Sequence, residues 1–313
     1  MSKVIVTGGA GFIGSHIVDK LIRLGHQVLV VDNLSTGRLS NLNQGALFRR
    51  MDINDDRLSD VFTAFRPEVV IHHAAQVSVA HSMKNPLLDA KVNIMGTINV
   101  LEACQRSGAG KIIYASSAAV YGKPERAVID EDHALNPMSF YGISKHTPEH
   151  YIETYAELIG LEYTIFRYSN VYGGRQDAHG EGGVVSIFTD RLLSNEKCLI
   201  FGDGEQTRDF IYVKDIVEAN IAAMTRGSGL IMNISNNTST TVNELLRTMC
   251  ELLGKPFSPT YMPSRPGDIK DSMLDNSRAR RELGWAPGCT LQVGLEETLH
   301  YEQLQKRLRK GAS

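Results

Sequence analysis

The chain has 313 residues, 42% of them apolar and 22% charged, which are ordinary values for a globular enzyme and exclude a mini-protein. Its net charge of −2 provides no basic field for nucleic acid or an anionic membrane, so neither is expected as a partner. Four widely spaced cysteines form no Cys-x-x-Cys motif, which predicts free thiols and no metal site. The sequence shows no apolar stretch near the ~20 residues of a membrane span and no signal-peptide pattern, so we expect a cytoplasmic protein.

The first half of the chain alternates short β-branched runs with longer segments of helical spacing. The predicted strands are Lys3–Thr7, Gln27–Val31, Val69–His72, Lys111–Ala115 and Tyr163–Tyr168, and the predicted helices are Gly11–Leu24, Arg57–Phe65, Pro86–Ser107 and Ser139–Leu158. Strands separated by helices imply right-handed crossovers and a parallel sheet. The pattern therefore predicts an α/β fold of the Rossmann type, with a doubly wound parallel sheet.

The amino-acid composition changes after Asn170, where the chain becomes rich in glycine, proline and polar residues. We therefore expect a dinucleotide-binding domain over residues 1–170 and a smaller α/β substrate-binding lobe over residues 171–313. One or two of the later apolar runs, such as Phe210–Val213 and Ile231–Ile234, are expected to return to the sheet of the first domain.

A glycine-rich turn follows the first predicted strand and opens the first helix. Gly8, Gly11 and Gly14 repeat every third residue. In this context the first glycine allows a tight turn, the second allows a pyrophosphate to approach the backbone, and the third allows close helix packing. The helix N-terminus adds free N–H groups and partial positive charge. The turn thus predicts a dinucleotide site, and a purely structural glycine turn is the alternative.

Asp32 ends the second strand and is placed to accept hydrogen bonds from the diol of an adenosine ribose. Its carboxylate would repel a 2′-phosphate, which favours NAD over NADP. Arg38 lies close by and keeps NADP open as the alternative.

Tyr141 and Lys145 are spaced i and i+4, which places a phenol and an ammonium on one helix face. A neighbouring cation lowers the pKa of a phenol, so the pair suits proton transfer to and from a sugar hydroxyl. The pair lies beyond Ser116 and Ser117, which end another strand, and ligands bind at the carboxyl ends of parallel strands. The alternative is an ordinary Tyr–Lys pair on a solvated helix.

Taken together, these features resemble those of the extended short-chain dehydrogenase/reductases of the NAD-dependent nucleotide-sugar epimerase type, and within them the UDP-glucose 4-epimerase branch. Ten short motifs carry the resemblance in family order: Thr7–Gly14, Asp32–Gly37, Asp52–Ile53, Ile71–Ala75, Asn93–Thr97, Ser116–Gly122, Tyr141–Lys145, Arg167–Asn170, Arg208–Asp215 and Arg265–Asp268. The resemblance implies 4-epimerisation of UDP-hexoses through a 4-keto intermediate, with NAD as the cofactor.

The resemblance also implies roles for residues at matching positions. Ser117, Tyr141 and Lys145 are the implied catalytic residues. The implied cofactor-binding residues are Gly8, Gly11, Phe12, Ile13, Gly14, Asp32, Asn33, Ser35, Thr36, Gly37, Asp52, Ile53, His73, Ala74, Ala75, Asn93, Tyr141, Lys145 and Tyr168. The implied substrate-binding residues are Ser117, Asn170, Val185, Leu199, Ile200, Phe201, Arg208, Arg265, Asp268 and Ser272.

Two members of the substrate set have an independent chemical argument. A guanidinium can bond two oxygens of a diphosphate at once, and Arg208 and Arg265 come from different segments. Surface salt bridges with Asp209 and Asp268 are their alternative roles. Ser272 replaces a bulky Tyr found in some relatives, which leaves room for an N-acetyl group on the sugar.

Several other functions stay open at this point. The enzyme could act on UDP-glucuronate or a UDP-pentose, or be a related sugar-nucleotide dehydratase, although Ser116–Gly122 lacks the acidic residue that dehydratases use. A non-catalytic NAD-binding sensor on the same fold is the alternative from another class. The segments Pro86–Ser107 and Ser139–Leu158 resemble the pair that forms a homodimeric four-helix bundle in the family.

Overall fold

The structure is a computed structural model that describes residues 1–178, 183–264 and 269–311. Its strands are β1 (Lys3–Thr7), β2 (Gln27–Asp32), β3 (Leu47–Arg50), β4 (Val69–His72), β5 (Lys111–Ser117), β6 (Glu162–Tyr168), β7 (Asn170–Tyr172), β8 (Leu199–Phe201), β9 (Thr207–Arg208), β10 (Phe210–Tyr212), β11 (Leu230–Ile234), β12 (Thr240–Thr241) and β13 (Thr260–Met262). Its helices are α1 (Phe12–Arg23), α2 (Leu58–Phe65), α3 (Val79–Lys84), α4 (Pro86–Ala90), α5 (Gly96–Ser107), α6 (Phe140–Ile159), α7 (Val184–Leu193), α8 (Val213–Ala223), α9 (Val242–Leu252), α10 (Ser277–Leu283) and α11 (Leu291–Gly311).

A seven-stranded parallel sheet in the order β11-β6-β5-β4-β1-β2-β3 forms the centre of the molecule. Successive side chains of its strands point to opposite faces, so Val4 and Val6 pack in one apolar core and Ile5 in the other. Helices cover both faces, which confirms the predicted Rossmann-type doubly wound fold. Because the strands are parallel, their carboxyl ends all lie at one edge of the sheet, where ligands bind in folds of this type.

Most predicted elements lie within two residues of their predicted bounds. The edge strand β3 was not predicted, because three of its four residues are solvent-exposed or charged and carry no alternating pattern. The predicted helix Pro86–Ser107 is continuous but contains one π-helical turn, Lys91–Met95, between α4 and α5. An inserted turn of this kind leaves no signal in apolar spacing and is common near functional sites.

The two later apolar runs, Phe210–Val213 and Ile231–Ile234, lie in two different sheets. β11 joins the central sheet beside β6 as predicted. In contrast, β10 does not join the central sheet. The chain leaves that sheet before Asn170 to form β7, and β10 pairs with β7 in a separate two-stranded sheet. A third apolar core lies around Phe188, Leu245 and Leu295. This core supports our proposal that residues 171–313 form a second lobe.

The helices of the described ranges do not combine the length and apolar character that a membrane span requires. The four cysteines are free thiols, as predicted.

Candidate active site

One cavity of about 380 Å³ opens at the carboxyl edge of the central sheet, and we call it the nucleotide pocket. Its walls come from the ends of β1, β2, β4, β5 and β6, from the start of α6, and from the segment after β7. Predicted site residues that line it are Gly8, Gly11, Phe12, Ile13, Gly14, Asp32, Asn33, Ser35, Thr36, Asp52, Ile53, His73, Ala74, Ala75, Ser117, Tyr141, Lys145, Tyr168 and Asn170.

The glycine turn at the base of the pocket leaves no room for side chains. Gly8 has a φ of +70°, and a Cβ there would lie 2.7 Å from the amide nitrogen of Ala74. A Cβ on Gly14 would lie 2.3 Å from the carbonyl oxygen of Gly8. The amide of Gly8 donates to Val31 and that of Gly11 donates to Gly8, so the turn is held closed between β1 and α1. The arrangement presents backbone N–H groups of the α1 N-terminus to the pocket, as an anion site requires.

Asp32 is buried at the far end of this wall. Its carboxylate accepts hydrogen bonds from the amides of Ala10 (3.0 Å) and Leu34 (2.8 Å). A Cβ on Gly37 would lie 2.8 Å from the same carboxylate, so Gly37 acts by close approach and does not line the pocket. Arg38 forms an ion pair with Asp177, with 3.2 Å between the two charged atoms. This pairing weakens the case for Arg38 as a ligand of a 2′-phosphate.

A buried histidine, His72, lies beneath the pocket. His72 contacts the hydroxyl of Thr7 through Nδ1 (2.6 Å) and that of Thr97 through Nε2 (3.0 Å). Thr97 donates its own proton to the carbonyl of Asn93, so His72 must donate through Nε2 and accept through Nδ1. Burial lowers the pKa of His72 to about 3, so the ring is neutral at physiological pH. His72 therefore ties β1 to β4 and to α5 beneath the pocket.

The three predicted catalytic residues, Ser117, Tyr141 and Lys145, all line the nucleotide pocket. Lys145 is buried on α6, and its ammonium donates to the carbonyl of Ala115 (2.8 Å) and lies 5.2 Å from the ring centre of Tyr114. Burial lowers the pKa of Lys145 to about 8, an effect that the charge of Asp89 opposes. Tyr141 is the second residue of the same helix, and its amide donates to the hydroxyl of Ser82 (3.1 Å).

The hydroxyl of Ser117 accepts from the amide of Ala119 at the end of β5 (3.2 Å). A phenol, an ammonium and a hydroxyl thus border the same pocket as the glycine turn of Gly8, Gly11 and Gly14, which we call the cofactor cradle. Such a set can accept and return a proton at a bound hydroxyl.

Asn93 is buried beneath the wall and does not line the pocket, contrary to its implied role. Its side-chain amide donates to the carbonyl of Gln76 (2.9 Å) and to Ser144 (2.9 Å), and its oxygen accepts from the amide of Gln76 (2.8 Å). The π-helical turn carries Asn93 into this position. Its contacts join the segment after β4 to α6, so the residue supports the wall from behind.

Most of the implied substrate residues stand apart from the pocket. Val185 and Ile200 are buried in the third apolar core, around Phe188, Leu245 and Leu295, because each lies on the inward face of its helix or strand. The residues that line the pocket also do not include Leu199, Phe201, Arg208 and Ser272. Arg265 and Asp268 lie outside the described residues. Of the substrate set, the structure thus brings Ser117 and Asn170 to the pocket.

Sequence reasoning missed other residues on the walls. Arg175 and Gln176 cover the pocket from the segment after β7, and Arg175 is anchored to Asp19 of α1 (2.7 Å). Their only signal in the sequence was their place in a polar loop, which carries no periodicity. Across the described part of the chain, no group of three or more His, Cys, Asp or Glu side chains is placed to hold a metal ion.

Comparison with known proteins agrees with this geometry. Residues 4–235 match the model of the NAD-dependent epimerase/dehydratase family. The chain belongs to this family. The match also confirms the predicted cofactor class, because the family is NAD-dependent.

Three solved structures are closely similar over almost the whole chain. UDP-glucose 4-epimerase from Thermotoga maritima, crystallised with UDP-glucose, is 46% identical and has a TM-score of 0.95 over 97% of this chain and 99% of its own. UDP-N-acetylglucosamine 4-epimerase from Methanobrevibacter ruminantium, in complex with UDP-N-acetylmuramic acid, is 35% identical, with a TM-score of 0.93 over 97% and 99%. UDP-glucose 4-epimerase from Thermus thermophilus, in complex with NAD, is 40% identical, with a TM-score of 0.91 over 96% and 99%.

The glycine turn yields a direct prediction. In Gly14→Ala the new methyl group would overlap the carbonyl of Gly8, so the backbone of the cradle must move. We expect unfolding free energy to fall by about 1–3 kcal/mol and affinity for NAD⁺ to fall with it, measured by urea denaturation and calorimetric titration. Gly288→Ala is the matched control, because a Cβ there would meet its nearest atom at an ordinary 3.7 Å. Equal NAD⁺ affinity in the two variants would contradict the prediction.

Proposed function

We propose that this chain is an NAD-dependent 4-epimerase of UDP-hexoses that interconverts UDP-glucose and UDP-galactose. The observation that carries the proposal is the shared pocket, which is lined both by the glycine turn at a helix N-terminus and by Ser117, Tyr141 and Lys145. The family membership and the UDP-sugar epimerases among the similar structures support the same activity. A sensor that only binds NAD would need none of the three catalytic side chains.

The residues of the cradle fit NAD. Side chains are excluded at Gly8 and Gly14, where a pyrophosphate would approach the backbone. The Asp32 carboxylate stands where an adenosine ribose diol would lie, and its negative charge disfavours the 2′-phosphate of NADP. When bound, NAD supplies the acceptor and the donor of the hydride at C4′ of the sugar.

In this proposal the chain's own residues move the proton and hold the sugar. The Tyr141 phenolate takes the proton of the C4′ hydroxyl, while Ser117 forms a hydrogen bond to the same oxygen. Lys145 holds the nicotinamide ribose and stabilises the phenolate with its charge. The family resemblance assigns the diphosphate to Arg265 and to Arg208, which lies outside the nucleotide pocket. These arginines hold the diphosphate while the 4-keto sugar turns, and Tyr141 then returns the proton to the oxygen at C4′.

Removing the phenol tests the activity. Tyr141→Phe keeps the ring but has no group that can exchange a proton with C4′, so we expect the turnover number to fall about 10²–10⁴-fold. The interconversion of UDP-glucose and UDP-galactose, followed by proton NMR, measures the effect. Tyr163→Phe on β6, which does not line the pocket, is the control and should keep the parental rate. A parental rate in Tyr141→Phe would refute the proposed chemistry.

We further propose that the sugar site accepts N-acetylated UDP-hexoses, UDP-GlcNAc and UDP-GalNAc. The support is Ser272, a small half-buried residue that comes four positions after Asp268 in the sequence. One of the similar structures is also a UDP-N-acetylglucosamine 4-epimerase.

A larger side chain at this position tests the sugar preference. Ser272→Tyr should reduce turnover of UDP-GlcNAc at least about tenfold while UDP-glucose turnover changes little, because only the acetamido group competes with the ring for space. Ser272→Ala is the control and should keep both activities. The two rates are measured side by side by NMR, and an unchanged ratio in Ser272→Tyr would reject the assignment.

We propose a homodimer built from α4, α5 and α6 of two copies. Large apolar side chains are exposed at Leu88 of α4, at Met95 in the π-helical turn between α4 and α5, and at Phe140, Ile143 and Tyr151 of α6. Apolar surface of this kind marks an interface when it is contiguous. A two-fold arrangement would cover the same surface on both copies.

A charge within this face tests the assembly. Ile143→Glu should shift the sedimentation coefficient from that of a dimer to that of a monomer, because the carboxylate would be buried without a partner. Leu39→Glu, at another exposed apolar residue, should leave the dimer intact. A parent chain that sediments as a monomer would refute the dimer.

A further inference from the structure

A buried glutamate that the proposed chemistry does not use lies behind the reacting residues. Glu149 on α6 is 1% exposed. Its Oε1 accepts from the hydroxyl of Ser116 (2.6 Å) and from Nε of Arg167 (3.1 Å). Its Oε2 accepts from Nη2 of Arg167 (2.7 Å) and from Nδ1 of His146 (3.3 Å). All four contacts use the ionised carboxylate as acceptor, so one side chain joins three elements.

Each anchor of Glu149 is a direct neighbour of a residue that borders the pocket. Ser116, which also lines the pocket itself, precedes Ser117 on β5, and Arg167 precedes Tyr168 on β6. The sheet pairs Ser116 with Arg167, so both anchors lie at the same level of neighbouring strands. Glu149 itself lies one helical turn after Lys145. The carboxylate therefore bonds the helix that carries Lys145 to the strand that carries Ser117.

The helix needs this attachment at this point. Pro148 lies inside α6 and has no N–H, so the backbone bond from position 148 to the carbonyl of Ser144 is missing. The backbone is thus less constrained between Lys145 and Glu149 than elsewhere in the helix. Side-chain contacts at Glu149 replace that constraint at the next residue.

The guanidinium of Arg167 also makes contacts with a residue other than Glu149, namely Tyr121. Its Nη1 donates to the hydroxyl of Tyr121 (3.1 Å), and its guanidinium lies 5.0 Å from the centre of that ring. Tyr121 in turn donates to Asn233 of β11 (2.6 Å). Burial opposes the charge of Glu149, but the hydrogen bonds from His146 and Arg167 outweigh it and hold the pKa of Glu149 below its usual value. The carboxylate is therefore ionised and held from several sides.

We propose that Glu149 is a positioning residue of the active site: its carboxylate sets the placement of Lys145 relative to Ser117 by bonding α6 to the ends of β5 and β6. The inference rests on the proposed epimerase function. A displacement of about 1 Å in a catalytic group can cost about 10²-fold in rate. Loss of this carboxylate should therefore act on catalysis more than on substrate binding.

Glu149→Gln tests the proposal, because it keeps the shape but replaces one acceptor oxygen with a donor that would face the donors of Arg167 or Ser116. We expect kcat for UDP-glucose to fall about 10–100-fold with little change in KM. The acid limb of the kcat–pH profile should move to higher pH, because an ammonium further from Tyr141 stabilises the phenolate less. A purely structural role would lower the amount of active enzyme equally at every pH and leave the limb in place.

Glu149→Asp separates position from charge. It keeps the negative charge but is one methylene too short to reach Ser116 and Arg167 together, so it should be impaired like Glu149→Gln. Glu153→Gln is the matched control, one turn further along the same helix at a half-exposed glutamate, and should retain parental kcat and pH profile. Parental kcat in Glu149→Asp, or a parental pH profile in Glu149→Gln, would overturn the proposal.

Ser116→Ala covers the case in which both Glu149 variants fail to fold. It removes one contact and leaves the ion pair of Glu149 with Arg167 in place, so the chain should fold and show a smaller loss of kcat with the same shift of the acid limb. A parental profile in Ser116→Ala would then overturn the proposal. A parent chain that interconverts no UDP-sugar would instead count against the proposed function, so the two failures are distinguishable.

Discussion

The register of the parallel sheet is the constraint on which the site depends. Because β1, β4, β5 and β6 pair in parallel, their carboxyl ends reach one edge of the sheet together. The glycine turn follows β1, Ser117 ends β5 and Tyr168 ends β6, so a single pocket collects residues that lie far apart in the chain. A one-residue slip between β5 and β6 would turn Ser117 away from the pocket, since side chains alternate along a strand.

Polar groups beneath the pocket maintain this register where apolar packing alone would tolerate movement. His72 joins β1, β4 and α5, and Asn93 joins the segment after β4 to α6. Glu149 bonds α6 to β5 and β6. Each of these side chains is buried and uses its polar atoms in hydrogen bonds, so their directional contacts can define one arrangement. The proposed chemistry depends on that arrangement, because proton transfer needs groups within hydrogen-bond reach.

The sequence predicted those parts of the molecule that local patterns determine. Strands β1, β2, β4, β5 and β6, the glycine turn, Asp32 and the Tyr141/Lys145 pair follow from apolar runs, backbone sterics and helical spacing, and they lie where expected, whereas β3 was missed and β10 lies outside the central sheet. The roles of Val185 and Ile200 came from the family resemblance, and the structure buries both in an apolar core. Arg175 and the contacts of Glu149 were not predictable, because they join residues that are distant in sequence and belong to no short motif. Pairing of this kind is determined by tertiary packing.

The central claim is that one carbon of a UDP-hexose loses its hydride and regains it within the same active site. Conversion of UDP-glucose carrying deuterium at C4′, in ordinary water and with NAD as the only cofactor, tests this claim most directly. We expect NMR to find UDP-galactose that retains the deuterium at C4′, because the hydride returns to its original carbon and the solvent exchanges only the hydroxyl proton. Loss of the deuterium to solvent, or the absence of any UDP-galactose, would contradict it.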